Sequence, residues 1–237
     1  MSQSLSVIVP FYNEEDNVQP LFEQVCESLD DHDFECVFVN DGSTDATGDR
    51  LDTLAASDSR LIVLHLDGNF GQSAALMAGL RRAKGDLLFT LDGDLQNDPV
   101  DIPQMAVLLS DHDCVFGVRV NRQDNWIRKV SSRVANSVRN AILHDGISDS
   151  GCGIKGFRRE CVDHLVCFNG LHRFLAVFLR HAGFRIVECP VTHHPRQFGM
   201  SKYGVHNRLW RGLYDLVGVR WLVRRYVVYR VKQDDPE

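Results

Sequence analysis

The chain has no CxxC pair, and its seven cysteines (26, 36, 114, 152, 161, 167 and 189) are an odd number. Zinc ligation and a disulfide framework both lose their signature, so a reducing compartment and buried, apolar-like thiols are expected. No run of about 18 uninterrupted apolar residues occurs, so no transmembrane helix is expected. Leu5 to Val9 is too short for a secretory signal and lacks a basic flank. No GxGxxG follows the first apolar run, which disfavours a dinucleotide oxidoreductase. Linkers, internal repeats and low-complexity tracts are also missing, and a single composite domain is expected. Basic residues are scarce before residue 119, with five against 22 acidic ones. From residue 119 onward 21 basic residues face 10 acidic ones. The second half therefore suits an anionic partner. Nucleic acid is disfavoured because no recognised module is visible and the first half would repel phosphate.

What is present begins with 44% hydrophobic and 24% charged residues, an ordinary globular balance. Short apolar runs at Leu5 to Pro10, Cys36 to Asn40, Leu61 to Leu66, Leu87 to Leu91 and Cys114 to Val118 read as strands buried on both faces. Asn13, with Asp16 in a capping-box-like position, is expected to open a helix running to Leu29. Asp41 to Asp45 is a polar turn suited to capping the next helix, and Ser73 to Ala83 is helical. The alternation predicts an α/β fold with a mainly parallel sheet flanked by helices. Beyond it come a basic helix over Asn125 to Leu143 and a glycine-rich segment, Asp149 to Gly153. Strands over Ile154 to Phe157 and Arg185 to Val191 follow, with helices near Glu160 to Val166 and Leu171 to Ala182.

Parallel sheets bind ligands outside the carboxyl ends of their strands. Four strands here end in Tyr12-Asn13-Glu14, Asp41-Gly42, Asp67-Gly68-Asn69 and Asp92-Gly93-Asp94, which should converge on one edge. Two carboxylates flanking Gly93 suit a hard cation, Mg²⁺ or Mn²⁺, that keeps water and bridges substrate phosphates. Gly93 is expected to supply backbone freedom for both acids to bend toward one ion.

Four segments carry a family resemblance: Val7-Ile8-Val9-Pro10-Phe11-Tyr12-Asn13-Glu14-Glu15, Val39-Asn40-Asp41-Gly42-Ser43-Thr44-Asp45, Asn69-Phe70-Gly71-Gln72 and Leu91-Asp92-Gly93-Asp94-Leu95-Gln96. In order and spacing the chain resembles family 2 glycosyltransferases of GT-A fold. Within them it is similar to the dolichyl-phosphate mannosyltransferase and undecaprenyl-phosphate glycosyltransferase group. The resemblance implies that Pro10, Tyr12 and Glu14 line the nucleobase and ribose pocket and that Asp41 reads the base. It implies that Asp92, Gly93 and Asp94 meet the nucleotide sugar, with Asp92, Asp94 and Gln96 as the metal set. Arg119 and Arg133 resemble arginines that contact phosphates, a task suited to the planar guanidinium fork. Arg196, Ser201 and Lys202, in the segment His194 to Gly204, resemble residues beside the diphosphate and acceptor phosphate. Asp94, Arg119 and Arg133 are the implied catalytic residues.

Arg122, Arg128, Lys129 and Arg139 read as solvated or lipid-facing charges, and His193 and His194 as packed or hydrogen-bonded. Residues 1–204 are assigned to the catalytic domain, with a donor and metal half to 118 and an acceptor half after it. Residues 205–237 are assigned to a basic amphipathic helix and tail. There Leu209, Trp210, Leu213, Leu216, Val217 and Trp221 are expected largely on one face, toward an anionic membrane surface. The resemblance implies a nucleotide-sugar donor and a polyprenyl-phosphate acceptor at the inner, cytoplasmic face of a membrane. Relatives carry transmembrane helices after the catalytic domain, so a separate membrane-protein partner or a homo-oligomer stays open as the anchor. A hydroxyl acceptor needs a general base as it attacks, whereas a lipid phosphate is already anionic. No base is assigned, and Asp149 is held in reserve for a hydroxyl acceptor. The alternatives are a saccharide or lipid-hydroxyl acceptor, or a non-catalytic nucleotide-sugar-binding protein.

Overall fold

The computed structural model describes residues 3–120, 126–195 and 205–228. Among these residues seven strands form one sheet: β1 (Leu5–Phe11), β2 (Phe34–Asn40), β3 (Leu61–His65), β4 (Leu87–Thr90), β5 (Cys114–Arg119), β6 (Lys155–Arg158) and β7 (Ile186–Val191). Their order is β3-β2-β1-β4-β6-β5-β7. The neighbouring pairs among β1 to β4 are parallel, and so are β5 and β7. Only β6 runs the other way, antiparallel to both β4 and β5. It therefore starts at the edge where the other six strands end.

Both faces of the sheet are covered, which is why the strands read as unbroken apolar runs rather than alternating ones. Val7 and Val9 point into one core, with Phe38 and Phe89 and with Leu21, Phe22 and Val25 of α1 (Val18–Ser28). Ile8 points into the other, with Leu88, Phe116 and Phe157 and with Leu76 and Leu80 of α3 (Gln72–Arg82). The first core also takes Leu51 of α2 (Thr47–Ser57) and Ile102 and Met105 of α4 (Ile102–Leu108). The second takes Phe178 of α6 (Leu175–His181) and Leu216 and Val219 of α7 (Val205–Arg225). Each large apolar side chain buried this way contributes about 1.5–3 kcal/mol.

Three local expectations are corrected. Asn13 does not cap a helix: its φ is 51°, and its side chain accepts from Thr44 N–H at 2.7 Å. The helical stretch begins instead as a 3-10 turn, Glu15–Asn17, with no side-chain cap, and Asp16 pairs with Arg50. Asn13 bridges two loops because a short amide in the left-handed region reaches a neighbouring backbone more readily than its own helix.

Arg139 is not a solvated charge. It lies on α5 (Trp126–Leu143), 7% exposed at the side chain, and donates to Asp145, itself 1% exposed, at 2.8 Å. The guanidinium also donates to Asn136 Oδ1 and to the Ile147 carbonyl, which ties α5 to the turn before the glycine-rich segment.

On α7 the apolar residues do not share one face. Leu216 is buried, and with Val219 it faces the core, while Tyr214, Val217 and Trp221 lie outside at 82%, 71% and 63% exposure. Positions 216 and 219 fall three apart on one stripe, and 214, 217 and 221 on another. The side chains of Leu209, Trp210 and Leu213 lie outside the described residues. Among the described residues no helix is long and apolar enough to cross a membrane.

Candidate active site

The expected convergence occurs. Loops after β1, β2, β3 and β4 gather at one sheet edge, joined by the ends of β5 and β7 and the beginning of β6. Hydrogen bonds stitch them together. Asn13 N–H donates to Ser43 Oγ at 3.0 Å and Glu14 N–H to Thr47 Oγ1 at 2.9 Å. Glu14 is steadied by Asn17, whose amide donates to Oε2 at 2.6 Å.

Asp41 is buried, and its two oxygens accept from Phe70 N–H at 2.8 Å and Gly71 N–H at 2.9 Å. The carboxylate so holds the loop that leads into α3. Gly42 lies beneath the same loop with φ +65°, and a Cβ there would sit 2.4 Å from the Gly68 carbonyl carbon. Both conformation and space demand glycine at that position. Pro10 and Tyr12 sit half-buried beside these loops.

Asp92 accepts from the Gln72 side chain at 2.8 Å. Burial and the neighbouring charge of Asp94 push its pKa up to about 6, against the lowering influence of Lys155, Arg119 and Gln72. Two crowded carboxylates, one of them resisting ionisation, are a donor set that a divalent cation relieves. Hard oxygens of this kind fit Mg²⁺ or Mn²⁺, which take one or two carboxylates and complete their shell with water and phosphate oxygens. Among the described residues no group of three His, Cys, Asp or Glu could hold a metal by itself.

Gly93 serves a different purpose from the one expected. Its φ is outside the left-handed region, and a Cβ would lie 2.9 Å from the Phe11 ring and 3.0 Å from the Pro10 carbonyl. It is Leu95, with φ 59°, that makes the left-handed turn. Gly93 is therefore needed for close approach to the end of β1. Gln96 donates its N–H to Asp94 Oδ1 at 3.3 Å and its side-chain amide to the His194 carbonyl at 3.4 Å. His194 returns a bond from its own N–H to the Gln96 carbonyl at 2.9 Å, and its ring meets Asp98 at 2.9 Å. The acidic loop is thereby fastened to the exit of β7.

Arg119 ends β5 and grips Asp149 with a two-pronged contact, Nε to Oδ2 and Nη2 to Oδ1, each 2.8 Å. Arg133 belongs to α5, but its side chain lies outside the described residues, as do Arg196, Ser201 and Lys202. Four contributors had no individual role assigned from sequence: Gln72, which ends one of the four family segments, and Asn97, Gly153 and Lys155. A Cβ on Gly153 would fall 2.3 Å from Asp92 Oδ2 and 2.5 Å from Asn97 Oδ1, so this glycine lets β6 approach the acidic loop. Lys155 is 5% exposed and donates to the Cys152 carbonyl. Burial lowers its pKa, while Cys152, Asp92 and Asp149 act to raise it. The glycine-rich segment was the available signal for Gly153, and Lys155 lies two residues beyond it.

This sheet, with an acidic pair at its carboxyl edge, defines a GT-A-type glycosyltransferase fold. A mannosyltransferase from Pyrobaculum calidifontis, in complex with GDP-Man and Mn²⁺, superposes with a TM-score of 0.66. It is 21% identical, and the match covers 97% of this chain and 66% of that one. Glucosyl-3-phosphoglycerate synthase from Mycobacterium tuberculosis, with Mn²⁺, UDP and phosphoglyceric acid, gives 0.71 at 18% identity, covering 94% and 78%.

Residues 6–166 match the family described as Glycosyl transferase family 2, and the chain belongs to that family. It is 38% identical over 231 residues to a dodecaprenyl-phosphate galacturonate synthase from Rhizobium johnstonii, covering 94% of this chain and 68% of the relative. It is 36% identical over 217 residues to an undecaprenyl-phosphate 4-deoxy-4-formamido-L-arabinose transferase from Aeromonas hydrophila subsp. hydrophila, covering 90% and 66%. The chain thus spans about two thirds of the length of these curated relatives.

Gly153→Ala tests how closely the β6 turn sets Asp92. A methyl group there displaces the carboxylate, and sugar transfer is expected to fall by about 10²-fold, as for an ångström-scale misplacement. Stability should fall by only about 1–3 kcal/mol, the usual cost of overpacking. Steady-state kinetics beside a thermal melt separates the two effects, and unchanged kinetics in a folded variant would contradict the assignment.

Proposed function

We propose that the protein is an inverting glycosyltransferase that moves a sugar from a UDP- or GDP-linked donor to a polyprenyl phosphate at the inner face of a membrane. The observation that carries the acceptor class is the engagement of Asp149. Both its oxygens already accept from Arg119, so the carboxylate held in reserve as a base is occupied by a guanidinium. A phosphate oxygen arrives already ionised and needs no base. Kinship with transferases named for dodecaprenyl and undecaprenyl phosphate supports the same class.

Pro10, Tyr12 and Glu14 border the nucleobase and ribose, with Asp41 fixing both the base and the loop beside it. Asp92, Asp94 and Gln96 hold Mg²⁺ or Mn²⁺, which when bound supplies Lewis-acid stabilisation of the leaving diphosphate. Arg119 and Arg133 orient phosphates, joined from the later segment by Arg196, Ser201 and Lys202. One oxygen of the lipid phosphate attacks the anomeric carbon in line. The new C–O bond forms as the bond to the diphosphate breaks, which inverts the anomeric centre. Tyr214, Val217 and Trp221, with Arg224 and Arg225 on the exposed side of α7, suit a headgroup region and support peripheral attachment.

The test is an assay with several labelled nucleotide sugars, Mn²⁺ or Mg²⁺, and lipid-extracted membranes. Activity should return on adding polyprenyl phosphate in anionic liposomes, and not on adding the corresponding alcohol or a saccharide. Transfer to the alcohol or the saccharide instead would replace the proposed acceptor with a hydroxyl.

A further inference from the structure

Lys155 has no part in the chemistry just described, yet a buried ammonium is unfavourable unless its charge is answered. It opens β6 opposite Thr90 of β4, two residues before Asp92. Its Nζ turns back to the Cys152 carbonyl, folding the side chain onto the turn at 152–153. That same turn is packed on the acidic loop. Gly153 lies against the Asp92 carboxylate, and Thr90 Oγ1 donates to the Gly153 carbonyl at 2.8 Å. A carbonyl dipole offsets only part of an ammonium's charge. Burial works against the charge on Lys155, Cys152, Asp92 and Asp149 act to favour it, and Arg119 opposes it. Arg119 already pairs with Asp149, while Asp92 lies against the same turn onto which the Lys155 side chain folds.

We propose that Lys155 is a positioning residue, a fixed counter-cation that sets the acidic pair in the empty enzyme and keeps its affinity for a free divalent ion low. The inference rests on Asp92 and Asp94 being the metal-holding pair. A fixed positive charge behind the pair repels an incoming cation. A nucleoside diphosphate brings negative charge that offsets this repulsion, so metal and donor are taken up together. Binding of either then strengthens binding of the other by the same factor.

The experiment titrates Mn²⁺ into the metal-free protein by calorimetry, alone and with UDP or GDP, for the parent, Lys155→Met and Lys155→Arg. Unfolding midpoints are recorded in chelator and in Mn²⁺. The parent should bind Mn²⁺ weakly alone and more tightly with a diphosphate. Lys155→Met should bind free Mn²⁺ about tenfold more tightly, as expected for removal of one nearby like charge. It should also melt earlier than the parent in chelator and recover in Mn²⁺, while Lys155→Arg behaves as the parent. Equal Mn²⁺ affinity in parent and Lys155→Met, or an equal loss of stability with and without Mn²⁺, would overturn the proposal. If Lys155→Met does not fold in chelator, its recovery on refolding in Mn²⁺ becomes the readout, and no recovery counts against the proposal. Should the parent bind no Mn²⁺ with either diphosphate, the metal-holding pair itself is wrong, and this inference falls with it.

Discussion

Asp94→Asn is expected to lower sugar transfer by roughly 10²–10³-fold, the loss typical of removing one electrostatic stabiliser from a transition state. Its unfolding midpoint should stay within about 2 °C of the parent, since the substitution keeps the side chain's size and most of its hydrogen bonding. The asymmetry arises because Asp94 sits half-buried at the mouth of the site, while the packing around it depends on Leu91, Leu95 and Gly93. An amide binds a hard cation far less well than a carboxylate does. Activity in the parent should vanish in excess chelator and return with Mn²⁺ or Mg²⁺. Kinetics that survive either the substitution or the chelator would remove the ion from the acidic pair.

Asp145→Ala should have the larger effect on stability. Its partner Arg139 is also buried, and removing the carboxylate strands a guanidinium in the interior. Breaking one side of such a pair costs about 3–5 kcal/mol. For a chain of this size that corresponds to a fall of about 6–20 °C in the unfolding midpoint. The double variant Arg139→Met/Asp145→Leu should regain most of the loss, because apolar residues of similar volume leave no buried charge. A double variant no more stable than Asp145→Ala would mean that the pair's hydrogen bonds to Asn136 and Ile147 matter more than its charge balance.

Much of this architecture is legible in the sequence because the strands are buried on both sides. Val7, Ile8 and Val9 enter opposite cores in turn, so the run stays apolar and its ends stand out by contrast. The donor edge could be assembled from four such ends without knowing how the strands pair. Contacts between distant segments were less accessible. Gln72 meets Asp92, Gly153 packs on the same carboxylate, and Arg119 closes on Asp149, and no local spacing encodes these meetings. Arg139 misled for the same reason: a basic helix looks solvated until its acidic partner is found in the following turn. On α7 the helix was legible, but its apolar residues were read as one face, and the burial of Leu216 against the exposure of Val217 and Trp221 depends on the surface the helix meets.

The reversed direction of β6 bears on how the chain can be built during synthesis. β5 leaves the ribosome before β6, yet among the described residues it has no bond to β4 and pairs only with β6 and β7. Until residues 155–158 emerge, Cys114–Arg119 has no neighbour in the sheet, and the outer edge of β4 lies open. Open strand edges recruit other chains, and pairings that wait on distant segments form slowly. The nascent chain therefore passes through a vulnerable interval spanning α5 and the glycine-rich turn. That interval ends when one four-residue strand slots between two waiting edges and closes the sheet.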